Sequence, residues 1–152
     1  ISTSGALTYN SATARIELID DWPGIWTFDG ETWSQVFAKF DPPGRIDHAV
    51  AYHDALARVV LFGGKLFDDV RQDSWWWNGS WVDVTRIGRP PPARFEHAMA
   101  YDAVYERVVL FGGTNGELVL GDTWVYGETS CSCTMSFACS VCNFSSSAAK
   151  RA

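Results

Sequence analysis

Basic residues are scarce in this chain, with 12 Lys and Arg scattered among 18 Asp and Glu and a formal charge of −6. That balance excludes a nucleic-acid surface, which needs clustered cations to neutralise phosphates. Long apolar runs are missing as well. None approaches the roughly 20 residues of a bilayer-spanning helix, so no membrane partner is expected. No basic segment followed by an apolar one opens the chain at Ile1, so no signal peptide is expected in this stretch, and the lack of an initiator Met points to a processed or excised chain. Cysteine is confined to the last 22 residues, so whatever precedes them cannot rest on disulfides. What the chain has in excess is aromatic: eight Trp, nine Phe and five Tyr. Rings that bury so much area per residue suit thin sheets packed face to face rather than helices.

One stretch is written twice. Residues 48–64 read HAVAYHDALARVVLFGG and residues 97–113 read HAMAYDAVYERVVLFGG, with 11 of 17 positions identical at a spacing of 49. A period of this length means one supersecondary unit copied in space, each copy needing a neighbour to cover its apolar face. A third, degraded copy occupies residues 6–19, where Tyr9 falls under Tyr52 and Arg15 under Arg58, but Asp20 and Asp21 replace the Gly-Gly pair. The register continues downstream, matching Trp26 with Trp75 and Trp124, and Phe28 with Trp77 and Tyr126.

Each unit resolves into short β-branched and aromatic runs divided by turn residues. In the second unit they cover residues 48–52, 58–62, 74–77 and 81–84. Asp29-Gly30 and Asn78-Gly79-Ser80 are tight-turn signals that require positive φ, so the flanking runs are expected to be antiparallel neighbours. Pro-rich connectors, residues 41–44 and 89–93, cannot donate ladder hydrogen bonds and mark the unit boundaries.

The recurring pattern is Arg-x-x-His, an apolar strand, a second strand ending in Gly-Gly, a variable loop, Asp-x-Trp-x-aromatic and a final Trp. Arg45, His48, Gly63, Gly64, Asp73, Trp75, Trp77 and Trp81 carry it in the second unit, and Arg94, His97, Gly112, Gly113, Asp122, Trp124 and Tyr126 in the third. It resembles the kelch repeat, in particular the form common in bacterial proteins, over residues 6 to about 127. The resemblance implies an all-β fold: a partial kelch-type β-propeller of about three four-stranded antiparallel blades (about residues 1–45, 46–93 and 94–127), with the first strand of each nearest the axis. Three blades are fewer than the four to eight with which propellers typically close. The first lacks both the Arg-His pair and Gly-Gly. The third lacks a clear outer strand, because residues 128–152 turn to a Cys/Ser-rich, non-kelch tail expected to be partly disordered. Residues 129–135 are a poor outer-strand candidate, and residues 145–152 are expected to fray.

Chemistry is harder to find. His48 and His53 stand five apart on one strand and so point to opposite faces, which argues against a metal pair. His48 and His97 recur beside Arg45 and Arg94, as scaffold positions do, and are expected to make a structural hydrogen bond within each blade. The Asp20-Asp21 and Asp68-Asp69 pairs lack the ordered spacing of a calcium loop and are expected to be solvated. Cys131, Cys133, Cys139 and Cys142 form C-x-C-x5-C-x2-C, which leaves zinc, disulfides or no shared site open. No cofactor is expected. Alternation sets Trp75 and Trp77 on one face as inter-blade core, leaving Trp76 on the other as free for a ligand.

These readings favour a non-enzymatic binding scaffold whose partner is a protein or a carbohydrate. No catalytic residue is assigned. In a four-stranded antiparallel blade the loops after strands two and four leave at one end, and loops on a rigid scaffold are where recognition usually sits. Arg45, Lys65, Phe67, Asp68, Asp69, Arg71, Arg94, Asn115 and Glu117 are the expected ligand-binding residues of that end. The alternatives are a fragment of a kelch-propeller enzyme, like galactose oxidase or a sialic-acid mutarotase, and a structural segment of a longer array. The galactose oxidase set of copper ligands and Cys-linked Tyr has no match in this sequence. The resemblance favours an extracellular or periplasmic setting, and open flanks make self-association an expectation for the isolated chain.

Overall fold

A computed structural model of the chain describes residues 5–22, 24–86, 89–127 and 143–147. Three four-stranded antiparallel sheets follow one another along the sequence. The first contains β1 (Gly5–Asn10), β2 (Arg15–Asp20), β3 (Ile25–Phe28) and β4 (Trp33–Val36). The second contains β5 (Ala49–His53), β6 (Arg58–Phe62), β9 (Ser74–Trp77) and β10 (Trp81–Asp83), with a small hairpin, β7 (Lys65–Leu66) and β8 (Asp69–Val70), inserted after β6. The third contains β11 (Ala98–Asp102), β12 (Arg107–Phe111), β13 (Thr123–Gly127) and β14 (Asn143–Ser147). Every sheet is a meander in chain order.

The turns follow from local chemistry. Gly30 (φ 106°) and Gly79 (φ 102°) supply the left-handed residue between third and fourth strands. Between first and second strands, Asn10 Oδ1 accepts the Ala12 and Thr13 N–H groups, and Asp102 Oδ1 accepts those of Val104 and Tyr105. These Asx turns stand in for a backbone turn.

The first strands adjoin one another, β1 against β5 and β5 against β11, and Tyr52 N–H donates to Thr8 Oγ1 across the first boundary (2.8 Å). The sheets therefore fan from a shared inner edge in a partial, propeller-like arrangement. One core cluster lies between the first two sheets, built on Ile19, Ile25, Val50, Tyr52, Val59, Leu61, Trp77 and Trp81. The other lies between the second and third, built on Ala51, Val60, Phe62, Val108, Leu110 and Tyr126. Alternation along β6 explains the split, since Val59 and Leu61 face backward along the array while Val60 and Phe62 face forward.

Two expectations change. The third sheet does have an outer strand: β14 pairs with β13 from Thr123↔Ser147 to Gly127↔Asn143. The strand comes from the tail expected to be non-kelch and frayed from residue 145. Backbone pairing needs no Trp motif, and Asn143-Phe-Ser-Ser-Ser offers only one large apolar residue as a sequence signal. Residues 129–135 lie outside the described residues. Trp76 is also not free. Its ring packs against the second cluster, with the Arg58 guanidinium 4.1 Å above it and Tyr126 edge-on at 6.5 Å.

Candidate functional site: the hairpin end of the sheets

The repeated Arg builds this end. Arg45 donates through Nη1 and Nη2 to both carboxylate oxygens of Asp73 (2.6 Å each), through Nη1 to the Gly63 carbonyl (3.0 Å) and through Nε to the Pro43 carbonyl (3.0 Å). Trp75 Nε1 completes the group by donating to Asp73 at 2.6 Å. One unit later Arg94 repeats every bond, to Asp122 (2.6 and 2.9 Å), Gly112 (2.9 Å) and Pro92 (3.1 Å), with Trp124 Nε1 on Asp122 at 2.6 Å. The planar fork of Arg matches a carboxylate bidentately, which Lys cannot do. For Asp73, burial raises the carboxyl pKa but the Arg45 bonds outweigh it and the net shift is downward. The Arg94 bonds hold Asp122 down at about 2.

Arg45 and Arg94 were expected to present themselves to a ligand. They are 2% and 0% exposed and tie each connector to its own sheet. Their backbones meanwhile reach the preceding unit: Arg45 N–H donates to the Asp21 carbonyl and Arg94 N–H to the Arg71 carbonyl. Gly64 N–H returns a bond to the Arg94 carbonyl (2.9 Å). A Cβ on Gly63 would lie 2.4 Å from that same oxygen, and one on Gly64 would lie 2.8 Å from the Ile46 carbonyl, so the Gly-Gly pair is the groove that receives connectors.

The histidines differ in part from expectation. His48 and His97 also face across sheet boundaries, although His48 lies near the Arg45 carbonyl of its own unit as well. The His48 ring lies near the Ile19 carbonyl of the first sheet, and His97 lies near the Phe62 carbonyl and edge-on to the Phe62 ring at 5.6 Å. Burial, reinforced by the neighbouring Arg45 and Arg94 charges, lowers both to about 4, so both are neutral at pH 7. Asp20 and Asp21 are buried instead of solvated.

Outside this clamp the loops project. Phe67 forms the tip of the β7–β8 hairpin with a left-handed backbone (φ 54°) and is 86% exposed. Asp68 and Asp69 are exposed beside it, and Asp69 pairs with Arg71 at 3.2 Å. Lys65 is held, 3.4 Å from Asp47 and over the Phe95 ring at 3.8 Å. In the third unit Asn115 Oδ1 accepts the Glu117 and Leu118 N–H groups, which lifts Glu117, Leu118 and Val119 outward. The structure thus places Phe67, Asp68, Asp69 and Glu117 at the surface and uses Arg45, Arg94 and Asn115 as supports, with Lys65 and Arg71 half-buried in ion pairs.

At the other end a pocket of about 360 Å³ opens between the first two sheets and contains Glu17, a residue that sequence reasoning passed over. The signal was present in the repeat, since Glu17 stands where the other units have Val60 and Val109. A second hollow, about 320 Å³, lies along the adjoining first strands between Tyr9, Tyr52 and Tyr101. Among the described residues, no three or more His, Cys, Asp or Glu side chains are grouped to hold a metal ion. The cysteines Cys131, Cys133, Cys139 and Cys142 lie outside the described residues. No protein-family model matches this chain, and no curated protein matches it.

Proposed function

We propose that the chain is a segment of a kelch-type β-propeller that serves as a non-enzymatic binding scaffold, offering the loops after its second strands to a protein or carbohydrate. The observation that carries this reading is the contrast within one end of the sheets. A clamp of buried Arg on part-buried Asp and Trp is repeated bond for bond, while the loops it supports, equal in length, differ in sequence and project Phe67, Leu118 and Val119, which are 86, 64 and 91% exposed. Constant support under variable, apolar tips is the division of labour expected of recognition loops on a rigid frame. The test is binding of the chain to glycan and peptide arrays, compared with a variant carrying Phe67→Ser, Leu118→Ser and Val119→Ser. Loss of the bound spots with an unchanged melting temperature supports the reading; unchanged binding by the variant removes this end from consideration.

A further inference from the structure

The boundary between the first and second sheets differs from the next boundary at three matched positions of the sheet that precedes it. Between the second and third sheets, the space at the turn end is filled by aromatic side chains: His53 lies 5.0 Å from Tyr101 and 6.0 Å from Tyr126, and Trp76 meets Tyr126 at 6.5 Å. One unit earlier Tyr52 and Trp77 stand where Tyr101 and Tyr126 do, but the counterparts of His53 and Trp76 are Asn10 and Thr27. Two rings have been replaced by short polar side chains. The space they would fill is the 360 Å³ pocket, which Asn10, Thr27, Tyr52 and Trp77 all line. That volume is in the range of small-molecule sites.

Into this space the first sheet puts a carboxyl group. Glu17, opposite Thr27 in the β2–β3 ladder, replaces the Val60 of the filled boundary. It is 5% exposed. Its Oε1 accepts a 2.7 Å bond from Asn10 Nδ2, and its Oε2 is buried with no hydrogen-bond partner among the described residues. A buried carboxyl oxygen without a donor is costly, and where such an atom borders an open pocket a ligand that brings the donor relieves that cost. Burial raises the Glu17 pKa, consistent with a carboxyl group that lacks a compensating charge.

We infer that this pocket is a binding site for a small primary ammonium compound with an apolar body, its nitrogen donating to Glu17 Oε2 and its body lying against Tyr52 and Trp77. The ammonium supplies both the missing donor and the opposite charge, whereas a hydroxyl supplies only the donor. Aromatic walls favour a cation over a second anion. Thr13, Thr27 and Asn78 line the pocket beside Asn10 and Glu17, but the lining surface is mainly apolar, so a sugar would turn most of its hydroxyls toward groups that cannot pair with them. The site opens among the turns of Ala12, Thr13, Asn78 and Gly79, at the end opposite the Gly-Gly hairpins, so it stands independently of the proposed loop face.

The test uses the whole chain and three probes in calorimetry: phenethylammonium, the neutral phenethyl alcohol and methyl glucoside. Phenethylammonium is expected to bind about tenfold or more tightly than either neutral probe, the difference a charge-assisted bond makes. Glu17→Gln keeps the shape and is expected to remove that preference while leaving the alcohol's affinity unchanged. Thr27→Trp, which restores the ring of the filled boundary, is expected to abolish binding of all probes without lowering the melting temperature. Failure of phenethylammonium to bind, a preference for the glucoside, or equal ammonium affinity in Glu17→Gln each overturns the inference.

Discussion

Gly63 and Gly112 occupy the same repeat position and both have left-handed backbones, φ 63° and 71°. Their surroundings differ. A Cβ on Gly63 would sit 2.4 Å from the Arg94 carbonyl and 3.0 Å from His97 Cε1, both contributed by the next unit. On Gly112 it would meet only the Leu120 carbonyl, at an ordinary 3.5 Å. Each Gly→Ala change carries the left-handed penalty of roughly 1–2 kcal/mol. Gly63→Ala must also push the Arg94 connector away, straining the Gly64 N–H bond to it, and overpacking of this kind adds about 1–3 kcal/mol. Gly63→Ala is therefore expected to melt lower than Gly112→Ala by about 2–4 °C for each kcal/mol of that difference. Thermal unfolding followed by circular dichroism, at the lowest concentration that gives a signal, checks this. Gly64→Ala and Gly113→Ala provide the control. Their Cβ atoms would approach Ile46 and Phe95 carbonyls at 2.8 and 2.6 Å within one unit, so these two should lose similar stability. Equal losses for Gly63→Ala and Gly112→Ala would refute the idea that each Gly-Gly pair receives the connector of the following unit.

Two further outcomes follow from the same geometry. His48 and His97 are lowered from 6.5 to about 4 by burial, so the unfolded chain binds protons more readily. Their contribution is complete above the unfolded value and is lost as pH falls from 6.5 through about 4, at up to about 3 kcal/mol each by linkage. His48→Gln should flatten the fall in urea midpoint between neutral and acid pH, and an unchanged profile contradicts the assignment. Trp76→Ala should cost about 3 kcal/mol, because the ring closes the second boundary. Val82→Ala, on the exposed edge of the same sheet, should stay within about 0.5 kcal/mol. A negligible loss at Trp76 would return that ring to the role of a free ligand platform.

Strand positions, turn glycines and the facing of Trp75 and Trp77 were legible because each follows from a local rule repeated in at least two units. Repetition also marked Arg45 and Arg94 as special, but not how. A repeated Arg on a connector reads equally as a ligand contact or a clamp, and only the convergence of Asp73 and Gly63 on it decides. The same holds for His48, whose neighbour Ile19 is 29 residues away on another sheet. The outer strand β14 was illegible because a ladder completed by backbone bonds leaves no apolar alternation behind it. Glu17 was legible in principle. The degraded first copy was read for what it kept, whereas its pocket comes from what it changed: Asn10 for His53, Glu17 for Val60 and Thr27 for Trp76.

The segment reading rests on faces that the described residues leave open. Phe62 is fully buried beneath the third sheet, while Phe111 at the same repeat position is 56% exposed, and Ile16 and Trp33 are more than one-third exposed at the first sheet. Apolar faces of this kind seek another unit, and a second copy of the chain is the one at hand in a pure sample. Sedimentation velocity at micromolar concentration tests it directly. The account predicts a dimer or larger species that shifts to monomer in Phe111→Glu, and a wild-type chain that is strictly monomeric with a single cooperative melt contradicts it.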